Sequence, residues 1–357
     1  MKTMTLTAGL MVTLATLCAS PVMAALPRQE PQQVTVLEGV AFGWNEQAPP
    51  MTELDGLVIR QQGQVIERRL ALPAAPTNQR DAVRLVAIVE IEPVITTEHE
   101  QPRIADPWTR LGHVGVVLGP PGAENPVVVE LMRFITPFGG AARFEQDVTS
   151  YAPILSGETT LRLHVSTWFS PAWKATLRLE YRPGEAGYRR PKLVLPLLGE
   201  HRLTARDSKR SVTVEIPASG IALPRLHILT SGHGGPQEFL TADHVLRIDG
   251  REIIRFRPWR EDGGTLHDSN PTSHRAPLDG RELWSSDIDR SGWLPGSIVH
   301  PYRVPLPELT PGRHVIEIEV VGIPGWDVET AEQGYWIVSA VVVVDEPWPA
   351  PAPPPTP

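Results

Sequence analysis

Hydrophobic residues in this chain occur in short runs, rich in valine, isoleucine and leucine, that end at glycine, proline or polar turn residues. In Leu161–Val165 and Thr176–Tyr181 apolar and polar positions alternate, which is the period of a strand with one buried face. No segment sustains the 3.6-residue period of an amphipathic helix. The pattern therefore predicts an all-β protein, because many short strands at this spacing are typical of sandwiches and barrels.

Further strands are predicted wherever a short apolar run lies between turn signals. The sequence I-D-G-R at residues 248–251 predicts a hairpin turn, since Asp and Gly accept the left-handed conformations that two-residue turns require. The predicted strands are Leu57–Ile66, Ala82–Ile91, His113–Leu118, Val127–Ile135, Leu161–Val165, Ala175–Tyr181, Ser211–Ile216, Arg225–Leu229, His244–Phe256, His314–Val321 and Tyr335–Val344.

The composition changes once in the middle of the chain. Residues 182–192, R-P-G-E-A-G-Y-R-R-P-K, are polar, basic and rich in turn residues, and they predict a linker between two strand-rich domains. The expected domains are residues 34–181 and 193–346, since a chain of this length can bury two cores. The proline-rich end, residues 347–357, predicts an extended, disordered tail.

The first 25 residues have the pattern of a signal peptide. A basic start precedes an apolar run, Met4–Leu17, and small residues follow at the expected cleavage site after Ala24 or Ala25. We therefore expect an exported protein, periplasmic or secreted. The one cysteine, Cys18, lies inside this segment, so thiol catalysis, cysteine zinc sites and disulfides are excluded for the mature protein.

Charge and hydropathy limit the partners. The 33 basic and 41 acidic residues give a net charge of −8 without a dominant basic patch, which argues against nucleic acid. No later segment is long and apolar enough to predict a membrane span. The sequence carries no signal for the oligomeric state.

The segment Trp259–Gly296 is polar, rich in glycine and proline, and contains Trp259, Trp284 and Trp293. It predicts a long ordered loop without regular structure, and two interpretations are open. The loop either forms a surface for a sugar or peptide, or it is a compact loop whose tryptophans cover the edge of a sandwich.

Several motifs, taken together and in order, resemble those of the peptide-N-glycosidase F family. The similarity extends over about residues 82–344. The motifs are D-P-W-T-R-L-G-H-V (Asp106–Val114), R-F-I-T-P-F (Arg133–Phe138), L-S-G-E-T-T-L-R-L-H-V-S-T-W (Leu155–Trp168), S-G-H-G-G-P-Q-E-F (Ser231–Phe239) and D-R-S-G-W-L-P-G (Asp289–Gly296).

This resemblance implies two eight-stranded antiparallel jelly-roll sandwiches packed side by side, with a site at their interface. It implies a glycopeptide or glycan as the partner and hydrolysis of the bond between asparagine and the first sugar as the reaction. In the family, an aspartate of D-x-W-D-R is the principal catalytic group, and a glutamate from each domain assists it.

The catalytic set is incomplete in this sequence. Glu238 matches the glutamate of the second domain, but Thr109 stands at the aspartate position and Ser166 at the position of the other glutamate. A hydroxyl group is un-ionised at neutral pH and cannot simply replace a carboxylate base. Asp106 and His113 are nearby substitutes that the sequence does not favour, because Asp106 is an odd number of residues from Thr109 and would face the other way in a strand.

The resemblance also implies substrate-binding residues, each with a structural alternative. Arg110 and Arg290 alternatively form buried ion pairs across the interface. For the tryptophans packing is favoured, since large aromatic side chains dominate cores and interfaces. His233 alternatively satisfies backbone groups, and Glu238 alternatively lies on a surface turn. The expected binding residues are Trp108, Arg110, Trp168, His233, Arg290 and Trp293.

We therefore predict an exported protein that acts on or binds N-linked glycopeptides, with amide hydrolysis weakened or lost. The alternative is a non-catalytic glycan-binding or scaffold protein. Copper chemistry, suggested by a fold shared with peptide monooxygenases, is disfavoured, because no His-x-His pair occurs and Met51 and Met132 both lie in the first half. No metal and no cofactor are expected.

Overall fold

A computed structural model describes residues 32–74, 83–97, 101–119, 126–184, 190–218, 224–278, 280–323 and 334–346. The expected signal peptide, residues 185–189 of the expected linker and the expected tail lie outside these ranges. Strands and turns dominate the described residues, which confirms the all-β prediction. None of the described helices is long or apolar enough to span a membrane. The described 3-10 helices are Gln61–Gly63, Thr149–Ile154, Gly235–Glu238 and Gly263–Ser269.

The first half forms a sandwich of two antiparallel sheets. One sheet has the order β1-β12-β5-β10, and the other has the order β2-β3-β4-β11-β8-β9. The strands are β1 (Gln32–Phe42), β2 (Met51–Leu54), β3 (Leu57–Arg60), β4 (Val65–Leu72), β5 (Val83–Pro93), β6 (Ile95–Thr96), β7 (Arg103–Ile104), β8 (Leu111–Leu118), β9 (Val127–Ile135), β10 (Ala142–Asp147), β11 (Gly157–Val165) and β12 (Trp173–Pro183). Eight strands form the sandwich, and the hairpin β2–β3 extends one edge.

Alternating side chains from both sheets fill the core of this half. In β11 and β12 every second residue is buried, as the alternating sequence pattern predicted. Trp173 is fully buried, and the rings of Phe134 and Phe144 stack with centroids 4.6 Å apart. Burial of one such aromatic side chain contributes about 1.5–3 kcal/mol.

The second half forms an eight-stranded sandwich around Trp336. Its sheets have the orders β13-β23-β15-β21 and β14-β22-β16-β17. The strands are β13 (Pro191–Thr204), β14 (Lys209–Ile216), β15 (Arg225–His233), β16 (Asp243–Ile248), β17 (Arg251–Phe256), β18 (Arg275–Leu278), β19 (Arg281–Trp284), β20 (Ile298–Val299), β21 (Tyr302–Pro305), β22 (Gly312–Val321) and β23 (Tyr335–Asp345).

Of two local predictions, a hairpin turn and a single long strand, the structure confirms the first and contradicts the second. The hairpin turn at residues 248–251 is confirmed: Asp249 and Gly250 have φ of 50° and 80°, the left-handed values that such a turn requires. The single strand predicted over Leu57–Ile66 is wrong, because the 3-10 turn Gln61–Gly63 divides it. Gln61 and Gln62 adopt positive φ there, a conformation that the apolar pattern does not signal.

The two halves share a continuous boundary. Strand β20 pairs with β9, so a segment of the second half extends a sheet of the first. A small apolar cluster, Ile135, Leu229, Trp293 and Val299, lies where they meet. The predicted proximity of the two halves is thus present in the structure.

The segment Trp259–Gly296 is more regular than predicted. It contains the 3-10 helix Gly263–Ser269 and the hairpin β18–β19, which the high glycine and proline content concealed. It also packs closely on the first half: a Cβ added to Gly140 would lie 2.1 Å from the Ser269 carbonyl oxygen. The Asn270 Oδ1 accepts a hydrogen bond from the Phe138 backbone N–H at 2.8 Å. These contacts hold the segment against the neighbouring domain.

Candidate functional site

A cavity of about 300 Å³ opens between the two halves. This volume is at the lower end of the range typical of small-ligand sites. Both halves supply side chains to it, as the interface site predicted from the sequence requires. The lining residues are Trp108, Thr109, Arg110 and Phe138 from the first half, and Glu238, Phe239, His274, Ala276, Ser285, Ile288 and Arg290 from the second.

Asp106 organises the wall contributed by the first half. Its carboxylate is fully buried and accepts two hydrogen bonds from the Arg110 guanidinium, at 2.7 and 3.0 Å. It also accepts one from the Thr167 hydroxyl at 2.6 Å and one from the Trp108 backbone N–H at 3.2 Å. Asp106 is therefore engaged by four hydrogen bonds and positions Arg110.

The positions of the two missing carboxylates differ. Thr109 lines the cavity, between Trp108 and Arg110. Ser166 is half-buried beyond the end of β11, where its backbone N–H donates to the Leu111 carbonyl at 2.9 Å, and it does not line the cavity. Only the Thr109 substitution therefore changes the surface that a ligand in this cavity would meet.

The glycine-rich turn after β15 carries Glu238 to the opposite wall. Gly234 and Gly235 have φ of 76° and 49°, which glycine adopts without strain, and the 3-10 helix that follows ends at Glu238. The Glu238 Oε2 lies 3.2 Å from the Arg290 Nη1, and the glutamate side chain remains 32 % exposed. Glu238 is thus half-exposed toward the cavity and is held by one ion pair.

Arg290 is buried between aromatic rings. Its guanidinium lies 4.8 Å from the Phe239 ring centroid and 4.6 Å from that of Trp293. Its Nη2 donates to the Ser285 carbonyl at 2.5 Å. The predicted ion pair across the interface is wrong for both cavity arginines, because Arg110 and Arg290 each pair with an acid of their own half.

Burial shifts the pKa of Glu238 and the pKa of Arg290 in the directions that favour the neutral form of each side chain. It raises the pKa of the Glu238 carboxyl, although the charge of Arg290 and a hydrogen bond from the Gly234 backbone oppose the rise. Burial likewise lowers the pKa of Arg290 to about 10, against the attraction of Glu238. A raised pKa brings the carboxyl closer to the pH range in which it can exchange a proton with a ligand, as an acid or as a base.

His233 and Trp293 lie beneath the cavity rather than in its lining. Trp293 is only 3 % exposed, and its Nε1 donates to the Gly232 carbonyl at 2.6 Å. His233 stacks on Trp293 with ring centroids 5.5 Å apart, and its Nε2 is 2.7 Å from the Ser231 hydroxyl. Burial, together with the charges of Arg133 and Arg290, lowers the pKa of His233 to about 3. This burial leaves no ring face for a sugar, so the structure favours the packing interpretation for Trp293. His233 is likewise buried, and its Nε2 contacts a side-chain hydroxyl rather than the backbone groups that the sequence alternative expected.

Exposed aromatic rings lie on the first half. Trp168 is 63 % exposed and makes an edge-on contact with Trp44, with ring centroids 5.8 Å apart. Phe169, also exposed, lies 5.9 Å below the guanidinium of Arg110, which connects this surface to the cavity. Trp108 is 48 % exposed at the cavity itself. We call Trp44, Trp108, Trp168 and Phe169 the aromatic surface.

Sequence reasoning missed His274, Ser285 and Phe239 in the cavity. His274 makes edge-on contacts with Trp108 and Phe138, and its Nδ1 lies 3.3 Å from the Ser285 hydroxyl. No spacing in the sequence connects these residues with Trp108. The one available signal for Phe239 was its place next to Glu238 in the glycine-rich motif.

Arg133 has a role that the sequence did not reveal. It lies on β9 and is completely buried against Glu130, and its Nη1 donates to the Ser231 hydroxyl at 2.9 Å and to the Ile337 carbonyl at 2.7 Å. It is therefore a polar link between the halves.

Within the described residues, His113, His164 and Glu200 are the side chains that could together hold a metal ion. Burial, and then the charge of His113, lower the pKa of His164 to about 3. Burial raises the pKa of Glu200, but attraction to His113 outweighs it and lowers that pKa to about 2. This group lies in the boundary and does not line the cavity.

Two domain families match this sequence. The family described as peptide-N-glycosidase F, C terminal, matches residues 202–343, and its N-terminal counterpart matches residues 113–181, so that together they cover more than half of the chain. The chain belongs to the peptide-N-glycosidase F family. The N-terminal match begins after the Asp106–Arg110 turn, so the equivalence of Thr109 with the family's aspartate depends on motif similarity.

Individual relatives in this family are distant. The chain is 23 % identical over 227 residues to peptide-N(4)-(N-acetyl-beta-D-glucosaminyl)asparagine amidase F of Elizabethkingia miricola, covering 57 % of this chain and 59 % of that protein. Among solved structures, PNGF-II superposes with a TM-score of 0.74 at 20 % identity, covering 89 % of this chain and 66 % of that one. PNGase F, a glycosylasparaginase from Flavobacterium meningosepticum, superposes with a TM-score of 0.66 at 18 % identity, covering 91 % and 98 %.

The chain thus spans less than two thirds of the curated relative and of PNGF-II. At these identities the structural similarity establishes the shared fold of two jelly-roll domains, and the activity has to be argued from the residues of the site.

Proposed function

We propose that this protein binds N-linked glycans or glycopeptides in the interdomain cavity, and that its hydrolysis of the glycan–asparagine amide is weak or absent. The observation that carries the proposal is the composition of the cavity wall. Of the described residues that line it, Glu238 alone is a carboxylate, and Thr109 occupies the place of the family's principal acid.

The cavity offers the contacts that a glycan needs. Aromatic faces such as Trp108 suit the apolar side of a sugar ring, and the charged groups of Arg110 and Glu238 suit its hydroxyl and amide groups. The aromatic surface continues beyond the cavity and could contact further sugars of a branched glycan.

The same wall lacks what hydrolysis needs. An amidase of this type requires a base to activate water and a group to protonate the leaving amine. Glu238 is the one carboxyl group among the described lining residues, so it cannot supply both functions, and the Thr109 hydroxyl cannot accept the proton. Loss of a principal catalytic group lowers rates by orders of magnitude.

The proposed glycan binding is tested on a glycan array and by calorimetry with a fluorescent N-glycopeptide. We expect measurable binding that Trp168→Ala weakens by roughly 3- to 10-fold, since one aromatic contact contributes about 0.5–1.5 kcal/mol. Trp168→Phe retains an aromatic ring and should restore most of the affinity. Absence of any glycan binding by the folded protein would favour the scaffold alternative.

The proposed loss of amide hydrolysis is tested by introducing carboxylates at Thr109 and Ser166. The wild-type protein should leave a denatured N-glycoprotein unshifted in an electrophoretic assay, whereas Thr109→Asp with Ser166→Glu should release glycan. Thr109→Asn with Ser166→Gln is the matched control, with similar shape and no charge. Complete deglycosylation by the wild type at modest concentration would refute the loss of activity.

A second candidate function is residual hydrolysis with His274 as the base. The observation in its favour is the position of the imidazole in the cavity wall, beside Trp108 and within 3.3 Å of the Ser285 hydroxyl. Neutral imidazole is an effective base near pH 7. If the wild type proves active, His274→Gln should abolish the activity while glycopeptide affinity stays within about 3-fold.

Export is part of the proposal. The basic, apolar and small-residue pattern of residues 1–25 supports passage out of the cytoplasm. Mass spectrometry of the protein recovered from cell fractions tests this. Cleavage after Ala24 or Ala25 is expected, and an intact amino terminus in the cytoplasm would contradict export.

A further inference from the structure

Three potential ligand atoms converge at the boundary between the halves. His113 of β8 and His164 of β11 face each other across the paired strands, with their Nδ1 atoms 3.2 Å apart. Glu200 of β13 comes from the second half and places its Oε1 2.5 Å from the Nδ1 of His113. The ligand atoms of the three residues all lie within 4.8 Å of one another.

The backbone of β13 is shaped to deliver Glu200 to this point. The strand shifts its register between Leu198 and His201, and Glu200 adopts a φ of 43°, the left-handed region that costs a non-glycine residue about 1–3 kcal/mol. Gly199 permits the approach, because an added Cβ would lie 2.7 Å from the Val128 carbonyl oxygen. Such local strain is concentrated at functional positions.

The polar atoms of this group cannot all be satisfied by hydrogen bonds. A ring nitrogen carries either a proton or a lone pair, so the Nδ1 of His113 has at most one hydrogen for two neighbours, the Nδ1 of His164 and the Oε1 of Glu200. The Nε2 atoms of His113 and His164 are both buried without a hydrogen-bond partner. A metal ion bound by the lone pairs of both Nδ1 atoms would end the conflict at these atoms, and each Nε2 would then carry the ring proton.

We propose that His113, His164 and Glu200 form a site for a divalent transition-metal ion, with zinc as the best fit. Two imidazoles and one carboxylate are the ligand set of open, four-coordinate zinc sites. Ligands about 2.0–2.1 Å from a tetrahedral zinc lie roughly 3.3 Å apart, close to the separation of the two Nδ1 atoms. The Glu200 Oε1 is 2.5 Å from the Nδ1 of His113 and would move away from that nitrogen by about 0.8 Å to reach the same separation.

Glu200 is partly exposed to solvent, and hydrogen bonds hold its backbone in place. The Glu200 side chain is 28 % exposed, so the group is reached from solvent through its carboxylate. The Glu200 backbone N–H donates to the Ser339 hydroxyl at 2.8 Å, and that hydroxyl donates to Glu130. This chain of contacts orients the ligand from behind, as outer partners do in metal sites.

The site would connect the halves, because the histidines belong to the first and the glutamate to the second. Nitrogen and carboxylate ligands favour zinc, nickel, copper and cobalt over magnesium or calcium, which prefer oxygen alone. Zinc bound here should therefore stabilise the folded protein by favouring the docked arrangement. This inference does not depend on the proposed glycan binding, since none of the three residues lines the cavity.

Zinc binding is measured by calorimetry on the full-length protein after treatment with a chelator. We expect one zinc per chain, a rise in melting temperature with zinc and none with magnesium. Glu200→Gln and, separately, His164→Gln should each weaken zinc binding by roughly 100-fold and remove the thermal shift. Cobalt substitution gives a second readout, because the absorption bands of tetrahedral cobalt should appear in the wild type and vanish in both variants.

His314→Gln is the matched control. It removes a histidine whose Nδ1 pairs with the Asp249 carboxylate at 2.7 Å, a site with only one acid and one imidazole. Zinc affinity should be unchanged in this variant. The proposal is overturned if the wild type binds no zinc, or if the Glu200 and His164 variants, melting normally without metal, bind zinc as tightly as the wild type.

Discussion

Two glutamate–arginine pairs lie along the boundary between the domains, and their surroundings are opposite. Glu130 and Arg133 are completely buried, and the arginine also donates to Ser231 and to the Ile337 carbonyl. Glu238 and Arg290 share one contact of 3.2 Å, and the carboxylate is partly open to the cavity.

Two pairs of the same residue types therefore differ in role, because their carboxylates differ in burial and in the number of their partners. In the first pair the contacts hold β9 against the second domain, and little capacity for a ligand is left. In the second pair the carboxylate keeps free lone pairs and a raised pKa, so it can bind or protonate a ligand. The following predictions test this distinction.

The largest effect is expected from breaking the buried pair. Arg133→Met leaves Glu130 as an unpaired buried charge, so the free energy of unfolding should fall by about 3–5 kcal/mol in urea denaturation. Arg84→Met is the control, because it breaks an exposed pair with Asp147 and should cost about 0–1 kcal/mol. Equal losses in the two variants would contradict the structural role of Arg133.

An intermediate effect is expected from acid. His227 is buried in β15 against Tyr151 of the first domain, and burial, with the charges of Arg303 and Arg225, lowers its pKa from 6.5 to about 3. A lowered histidine pKa means that the unfolded chain binds the proton more tightly, so this contribution to stability is present above pH 6.5 and is lost progressively as the pH falls toward 3.

His227→Gln removes this titration. Between pH 7 and 4.5 the variant should lose about 1–3 kcal/mol less unfolding free energy than the wild type, measured in urea at both pH values. His314→Gln should change acid sensitivity in the opposite direction, because its hydrogen bond to Asp249 raises the pKa of His314. Identical acid sensitivity in the wild type and His227→Gln would show that His227 is not held neutral.

The smallest effect on stability is expected at the open pair. Glu238→Gln removes the acidic partner of the buried Arg290, but the guanidinium keeps its hydrogen bond to the Ser285 carbonyl and its contacts with the Phe239 and Trp293 rings, so the free energy of unfolding should fall by only about 1 kcal/mol. Glycopeptide affinity should nevertheless fall by roughly 10-fold, since hydrogen bonds to charged groups contribute about 1.5–3 kcal/mol. Glu238→Asp retains the charge and serves as the control. An unaltered affinity in Glu238→Gln would exclude the carboxylate from the binding surface.

Much of the fold follows from local sequence. The strand predicted at Val127–Ile135 matches β9, and the predicted hairpin turn at Asp249 and Gly250 is present, because alternation and turn chemistry act over a few residues. The strand β13 was missed, since Pro196 and the bulge at Glu200 interrupt its pattern. Its pairing with β23 overrides the weak local preference.

The candidate site was only partly predictable. The motifs suggested that Arg110, His233, Glu238 and Arg290 would converge. Three of them line one cavity, together with Thr109, whereas His233 is not among its lining residues. The partners of each residue did not follow from the motifs, because Asp106 binds Arg110 through a local turn and Phe239 packs on Arg290 through a bent segment.

By itself, the sequence determined an all-β chain of the peptide-N-glycosidase F family, with a hydroxyl at Thr109 where the motif has an acid. These properties are local, set by side-chain alternation and by the chemistry of single positions. Only the tertiary structure decided that Arg133 is buried between the halves, that Trp293 is beneath the cavity, and that His113, His164 and Glu200 meet. Such contacts join strands far apart in the chain, and the pairing register and domain docking that create them are set by the packing of the whole molecule.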